Sequence, residues 1–121
     1  MHALLLVSHG SRRQQSNNEV NQLCERLNEE MGESFEFVYS AFLEIASPSI
    51  PEGIQQCVEE GASSVTVLPY FLAAGKHVAE DIPFIVADAI EKYPDVSISI
   101  TRHIGVSEGM SQLISSVIKE G

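Results

Sequence analysis

Between Ala3 and Ser8 the chain reads ALLLVS, an apolar run of strand length, and the segment after it carries apolar residues at helical spacing. This strand-then-helix alternation continues to the end of the chain, with no low-complexity tract, linker or internal repeat, and it constrains the fold more than any other feature. A chain of 121 residues can bury one core and is too short for two. The expectation is a single domain over residues 1–121, with one site.

The first strand, about Ala3 to Ser8, is apolar on both faces and therefore central in a parallel sheet. Ser16 and Glu19 have capping-box spacing for a first helix whose stripe is Val20, Leu23, Cys24, Leu27 and Met31, with Gly32 as its end. A second strand, about Phe35 to Phe42, places Phe35, Phe37, Tyr39 and Ala41 against Glu36, Val38 and Ser40, the half-polar pattern of an edge. The next helix takes Ser47 or Ser49 as cap, buries Ile50, Ile54, Cys57 and Val58, and stops at Gly61.

A third strand, about Ser63 to Leu68, leads into a long loop from Pro69 to roughly Glu80 that is more apolar than a solvent loop needs to be. A third helix from near Asp81 should bury Ile82, Ile85, Val86, Ala89, Ile90 and Tyr93. The fourth strand, Val96 to Thr101, alternates isoleucine and valine with serine and threonine and so also reads as an edge. A last helix, capped by Ser107, carries Met110, Leu113, Ile114, Val117 and Ile118 as its buried stripe. Two edge strands around two apolar ones predict an α/β three-layer sandwich of flavodoxin-like type: a four-stranded parallel sheet of order 2-1-3-4 with helices on both faces.

The formal charge of −10 argues against nucleic acid as a partner. Of the seven Lys and Arg residues, however, Arg12, Arg13, Lys76 and Arg102 all follow predicted strands, a local positive cluster suited to a small anionic ligand. No run approaches the ~20 apolar residues of a membrane span. MHALLLVSHG lacks the pattern of a secretory signal, and Cys24 and Cys57 fall at apolar helix positions without CxxC spacing, which together predict a cytoplasmic protein.

In such a sheet the carboxyl ends of the strands carry the chemistry, and the switch point lies between strands 1 and 3. His9 follows the first of these and His77 lies on the loop from the other, with Glu44, Ser11, Arg12, the loop from Leu72 and His103 nearby. Two imidazoles and a carboxylate suit cobalt, nickel, iron or zinc better than calcium or magnesium, and they can also move protons near neutrality. Two histidines alone give a weak, open grip, which fits an ion that is handed on. FLAAG, from Phe71 to Gly75, could receive a flat apolar ring, and Arg12, Arg13, Lys76 or Arg102 could meet carboxylates on its rim. His103 reads as solvated or supporting, and His2, at the opposite edge, as inert.

LLLVSHGSR, AFLEIASPSI and VLPYFLAAGKHVAEDIP together resemble the short, single-domain sirohydrochlorin cobaltochelatase (CbiX-type) family of class II tetrapyrrole chelatases, in order and spacing over the whole chain. The resemblance implies a chelatase-like fold and a lyase that inserts a divalent ion (cobalt, nickel or iron, as substrate) into the anionic tetrapyrrole sirohydrochlorin, without nucleotide or permanently bound cofactor. It implies that His9 and His77 bind the metal, that His9 accepts a pyrrole proton, and that Glu44 contacts the macrocycle and assists. Leu72, Ala73, Ala74, Gly75 and Lys76, beside His77, match the substrate loop. The short form implies a symmetric homodimer. Ser47 departs from the acidic residue of many relatives. Two rival readings remain: a non-catalytic metal or tetrapyrrole carrier on the same fold, and a phosphohistidine-type phosphatase, whose flanking arginine is misplaced in SHGSRR.

Overall fold

The computed structural model describes residues 1–121. Its strands are β1 (His2–Ser8), β2 (Phe37–Phe42), β3 (Ser64–Pro69) and β4 (Ser97–Ile100), and its helices α1 (Gln14–Glu30), α2 (Ile50–Glu59), α3 (Ile82–Lys92) and α4 (Met110–Glu120). One π-helical turn, His77–Asp81, leads into α3, and a 3-10 turn, Ile104–Val106, precedes α4. All strand pairs are parallel and the order is β2-β1-β3-β4, as the pattern of the strands predicts.

β1 is central because both of its faces are apolar. Ala3, Leu5 and Val7 join Ala41, Val65, Val67 and Ile98 beneath α2 and α3, which contribute Ile50, Ile54, Cys57, Ile82, Val86 and Ala89. Leu4 and Leu6 face the other way, onto Cys24 of α1 and Val38 of β2. Each fully buried Leu, Ile or Val side chain here stabilises the fold by about 1.5–3 kcal/mol.

Several local expectations are corrected. α1 begins before Ser16, at Gln14, and its cap residue Arg13 makes no side-chain bond. The turn ahead of it is held instead by Asn17, buried, which accepts from the Ser11 amide at 3.0 Å and donates to the Ser11 carbonyl at 2.8 Å. β2 keeps Phe37, Tyr39 and Ala41 on one face and Val38 and Ser40 on the other, but it begins at Phe37, and Phe35 packs on the Val38 side, not with Phe37. Of the two cap candidates for α2, Ser49 forms the capping box with Glu52. Ile90 on α3 is exposed. Ser107 does not cap α4; its hydroxyl accepts from Gly109, which is the cap residue.

The largest departure is α4, whose stripe is open: Leu113, Ile114, Val117 and Ile118 are 52–72% exposed. The register explains it. On the α1 side of the sheet the row from β1 to β4 runs from Leu4 through Thr66 to Ser99, so the sheet turns polar where α4 would have to land. An apolar helix face gains little from a serine and threonine surface.

Candidate metal and ligand site

The carboxyl ends of β1, β2 and β3 bring three donors together. His9 follows β1, Glu44 follows β2, and His77 opens the π turn after β3. One ligand atom from each lies within 4.8 Å of the others, a spacing that fits a single shared ion. The two imidazole rings are 5.1 Å apart and tilted by 52°. The structure thus places Glu44 with the two histidines, as a third donor beyond the two-point grip of the sequence.

Backbone geometry fixes two of the three. Leu43 donates to the Ser8 carbonyl and Glu44 to the His9 carbonyl, extending the β1–β2 ladder into the loops. Gly10, at φ +96°, permits this, because a Cβ there would lie 2.0 Å from the Glu44 carbonyl oxygen. Beyond Glu44, Ile45 takes φ +73° while the Ala46 amide donates to the Glu44 carbonyl at 2.8 Å, a γ-turn that is strained for a β-branched residue. Strain of this kind collects at functional sites.

The hydrogen bonds set the tautomers. His9 Nδ1 is 3.0 Å from the Gly10 carbonyl, which only accepts, so Nδ1 carries the proton. In the neutral ring the lone pair is then on Nε2, and Nε2 lies 3.1 Å from Glu44 Oε1. Two acceptors face each other at hydrogen-bond distance. A proton or a metal ion resolves that repulsion, and the same pair of atoms can receive either.

His77 is tied differently, with Nδ1 2.7 Å from Asp81 Oδ2. In the sequence Asp81 marks only the start of a helix. Its signal was the four-residue spacing from His77, the separation at which helical side chains meet.

The ligand loop is shorter than expected, because helical structure begins at His77 and not at Asp81. Leu72, Ala73, Ala74, Gly75 and Lys76 are exposed, Leu72 to 73%, and the space over Gly75 is open. Phe71 anchors the loop from below, its carbonyl accepting from Gly105 at 3.0 Å. Gly105, which sequence reasoning missed, is required there: a Cβ would meet the Leu72 carbonyl oxygen at 1.8 Å.

Two cavities open among the segments that follow the strands, and neither is lined by His9, Glu44 or His77. One, of about 520 Å³, is lined by Arg12, Ser11, Asn17, Ile45 and Ser47; the other, of about 490 Å³, by Arg102, His103, Thr101, Leu68 and Ser107. Arg12, Arg13, Lys76 and Arg102 are exposed, and the chain's two ion pairs both use histidine, so none of these cations has a carboxylate within 4.0 Å. His2 lies at the opposite edge, bonded to the Ser64 hydroxyl. Burial pushes the Cys24 and Cys57 thiols up to about 11, so neither is a thiolate ligand near neutrality.

A family model described as CbiX matches residues 3–121. The chain belongs to the CbiX family. It is 37% identical over 102 residues to the chloroplastic sirohydrochlorin ferrochelatase of Arabidopsis thaliana, covering 84% of this chain and 44% of the relative. The crystal structure of the sirohydrochlorin chelatase SirB from Bacillus subtilis subspecies spizizenii in complex with cobalt superposes with a TM-score of 0.86 at 31% identity, over 98% of this chain and 50% of SirB. A CbiX protein from Marinobacter aquaeolei VT8, described as a putative cobalamin biosynthesis protein, gives a TM-score of 0.76 at 31% identity, over 99% of this chain and 96% of that one. The chain spans less than half the length of curated relatives such as the plant enzyme. No helix is long and apolar enough to cross a membrane.

Proposed function

We propose that this chain is a lyase that inserts a divalent ion, cobalt first and nickel or iron as alternatives, into sirohydrochlorin. The observation that carries the reading is the approach of His9 Nε2 to Glu44 Oε1 with His77 beside them. His9, Glu44 and His77 hold the ion on one face of the macrocycle. Seating a dication in a tetrapyrrole releases two N–H protons. As the ion leaves, His9 and Glu44 lose the cation that separated their lone pairs and become a ready proton acceptor, so His9 acts as base with Glu44 assisting.

The surroundings support a flat, anionic partner. Exposed Leu72 and Ile45, next in sequence to the loops that carry the donors, offer apolar surface, and Arg12 lines one cavity while Arg102 and His103 line the other. Cations without carboxylate partners, on a chain of charge −10, are available to substrate carboxylates. Leu72 to Lys76 is the surface against which the ring rests.

We place the protein in the cytoplasm as one domain over residues 1–121, which its free cysteines suit. A second copy of the chain covers α4, because Leu113, Ile114, Val117 and Ile118 form an uncharged stripe that its own sheet does not bury.

The test is anaerobic metallation of excess sirohydrochlorin by substoichiometric protein, followed by the visible spectrum with cobalt, nickel and iron in turn. Turnover faster than in buffer, many times per chain, is expected. A single stoichiometric transfer would make the protein a carrier instead.

A further inference from the structure

We propose that Asp81 is a positioning residue that fixes which nitrogen of His77 meets the metal ion; the proposal rests on the reading of His77 as a ligand. Asp81 Oδ2 lies 2.7 Å from His77 Nδ1, the length of a charge-assisted hydrogen bond. The carboxylate only accepts, so Nδ1 carries the proton and the lone pair of the neutral ring is held on Nε2. A free imidazole would divide its population between two tautomers and several ring rotations. With Nδ1 tied down, the ring keeps one tautomer and one orientation, and its basicity toward the ion rises.

Two further observations separate this role from an ordinary one. An aspartate at a helix start usually caps backbone amides, yet Asp81 has helical backbone angles and makes no capping bond. It is not at a free helix end: the His77 carbonyl accepts from the Ile82 amide five residues on, so the π turn runs directly into α3. Single π turns are frequent at functional sites. Stability does not account for the pair either, because the two side chains are 41% and 37% exposed, and such surface pairs contribute little.

The two ligand histidines are therefore oriented by different acceptors. His9 uses a neutral carbonyl on its own loop, and His77 uses a full carboxylate. Removing Asp81 should loosen His77 alone and leave the His9–Glu44 contact in place.

The experiment uses protein labelled with ¹⁵N-histidine, free of metal and at mildly alkaline pH, and compares wild type with Asp81→Ala, Asp81→Asn and Asp81→Glu. Long-range ¹H–¹⁵N correlations should show His77 with an unprotonated Nε2 in the wild type and a mixture of tautomers in Asp81→Ala. Cobalt(II) titration of the same samples should show about 10- to 100-fold weaker binding in Asp81→Ala, an intermediate loss in Asp81→Asn, and partial recovery in Asp81→Glu. Circular dichroism reports whether each variant is folded, and Asp81→Asn, nearly isosteric, serves if the alanine variant is not. An unchanged His77 tautomer, or a changed one with wild-type cobalt affinity, would overturn the proposal. If the wild type bound no cobalt, the reading of His77 as a ligand would fall instead.

Discussion

His9 and His77 come from different crossovers, with β2 and β3 between them in the chain, yet their rings lie 5.1 Å apart with Glu44 alongside. The parallel pairing of β1 with β2 and with β3 makes this possible, since it delivers three loops to one edge. Glu44→Gln keeps the shape of the side chain and removes its charge. It should weaken cobalt(II) binding, followed by absorbance or calorimetry, by at least the tenfold that loss of even an outer-shell partner costs. Unchanged affinity would remove Glu44 from the ion site.

Gly10 lets the β1 and β2 loops touch. Gly10→Ala has no room for its Cβ and forces a residue with a side chain to positive φ. A loss of about 2–4 kcal/mol in urea denaturation is expected. Cobalt affinity should fall with it, because Glu44 is hung from the His9 carbonyl.

Cys24 and Cys57 are buried thiols raised from 9.0 to about 11, both chiefly by desolvation. Folding therefore favours the protonated thiols, and that contribution is present below pH 9.0 and is lost as pH rises through about 11. In the native protein both should resist a thiol reagent up to about the ordinary cysteine value, and both should react once urea unfolds the chain. Rapid labelling of the native state would contradict the packing of α1 and α2.

The open stripe of α4 predicts self-association. Sedimentation should find a dimer in the wild type and a folded monomer in a Leu113→Glu, Val117→Glu double variant, since charges are excluded from the centres of such interfaces. A wild-type monomer at micromolar concentration would remove the second copy from the account.

Much of this was legible in the sequence because hydrophobic period reports directly on layers. ALLLVS could only be a covered central strand, and the stripe of α3 closely predicts its buried side. His9 and His77 are visible because each lies in the segment that follows an apolar strand. What stayed hidden depends on partners distant in the chain. The need for Gly105 comes from Leu72, and the burial of Asn17 comes from the Ser11 backbone. Nor does local pattern show that Ile45 takes a strained turn. For α4 the period shows that a face must be covered, while the polarity of Thr66 and Ser99, which denies it the sheet, lies on other strands.

The most direct test of the account is the rate of cobalt insertion into sirohydrochlorin by His9→Ala, read from the visible spectrum under anaerobic conditions. His9 is assigned both a ligand bond and the proton transfer, so the variant should be slower by at least the 10²–10⁴-fold, as an order-of-magnitude estimate, that general base catalysis supplies. Insertion at the wild-type rate would contradict the assignment of the site.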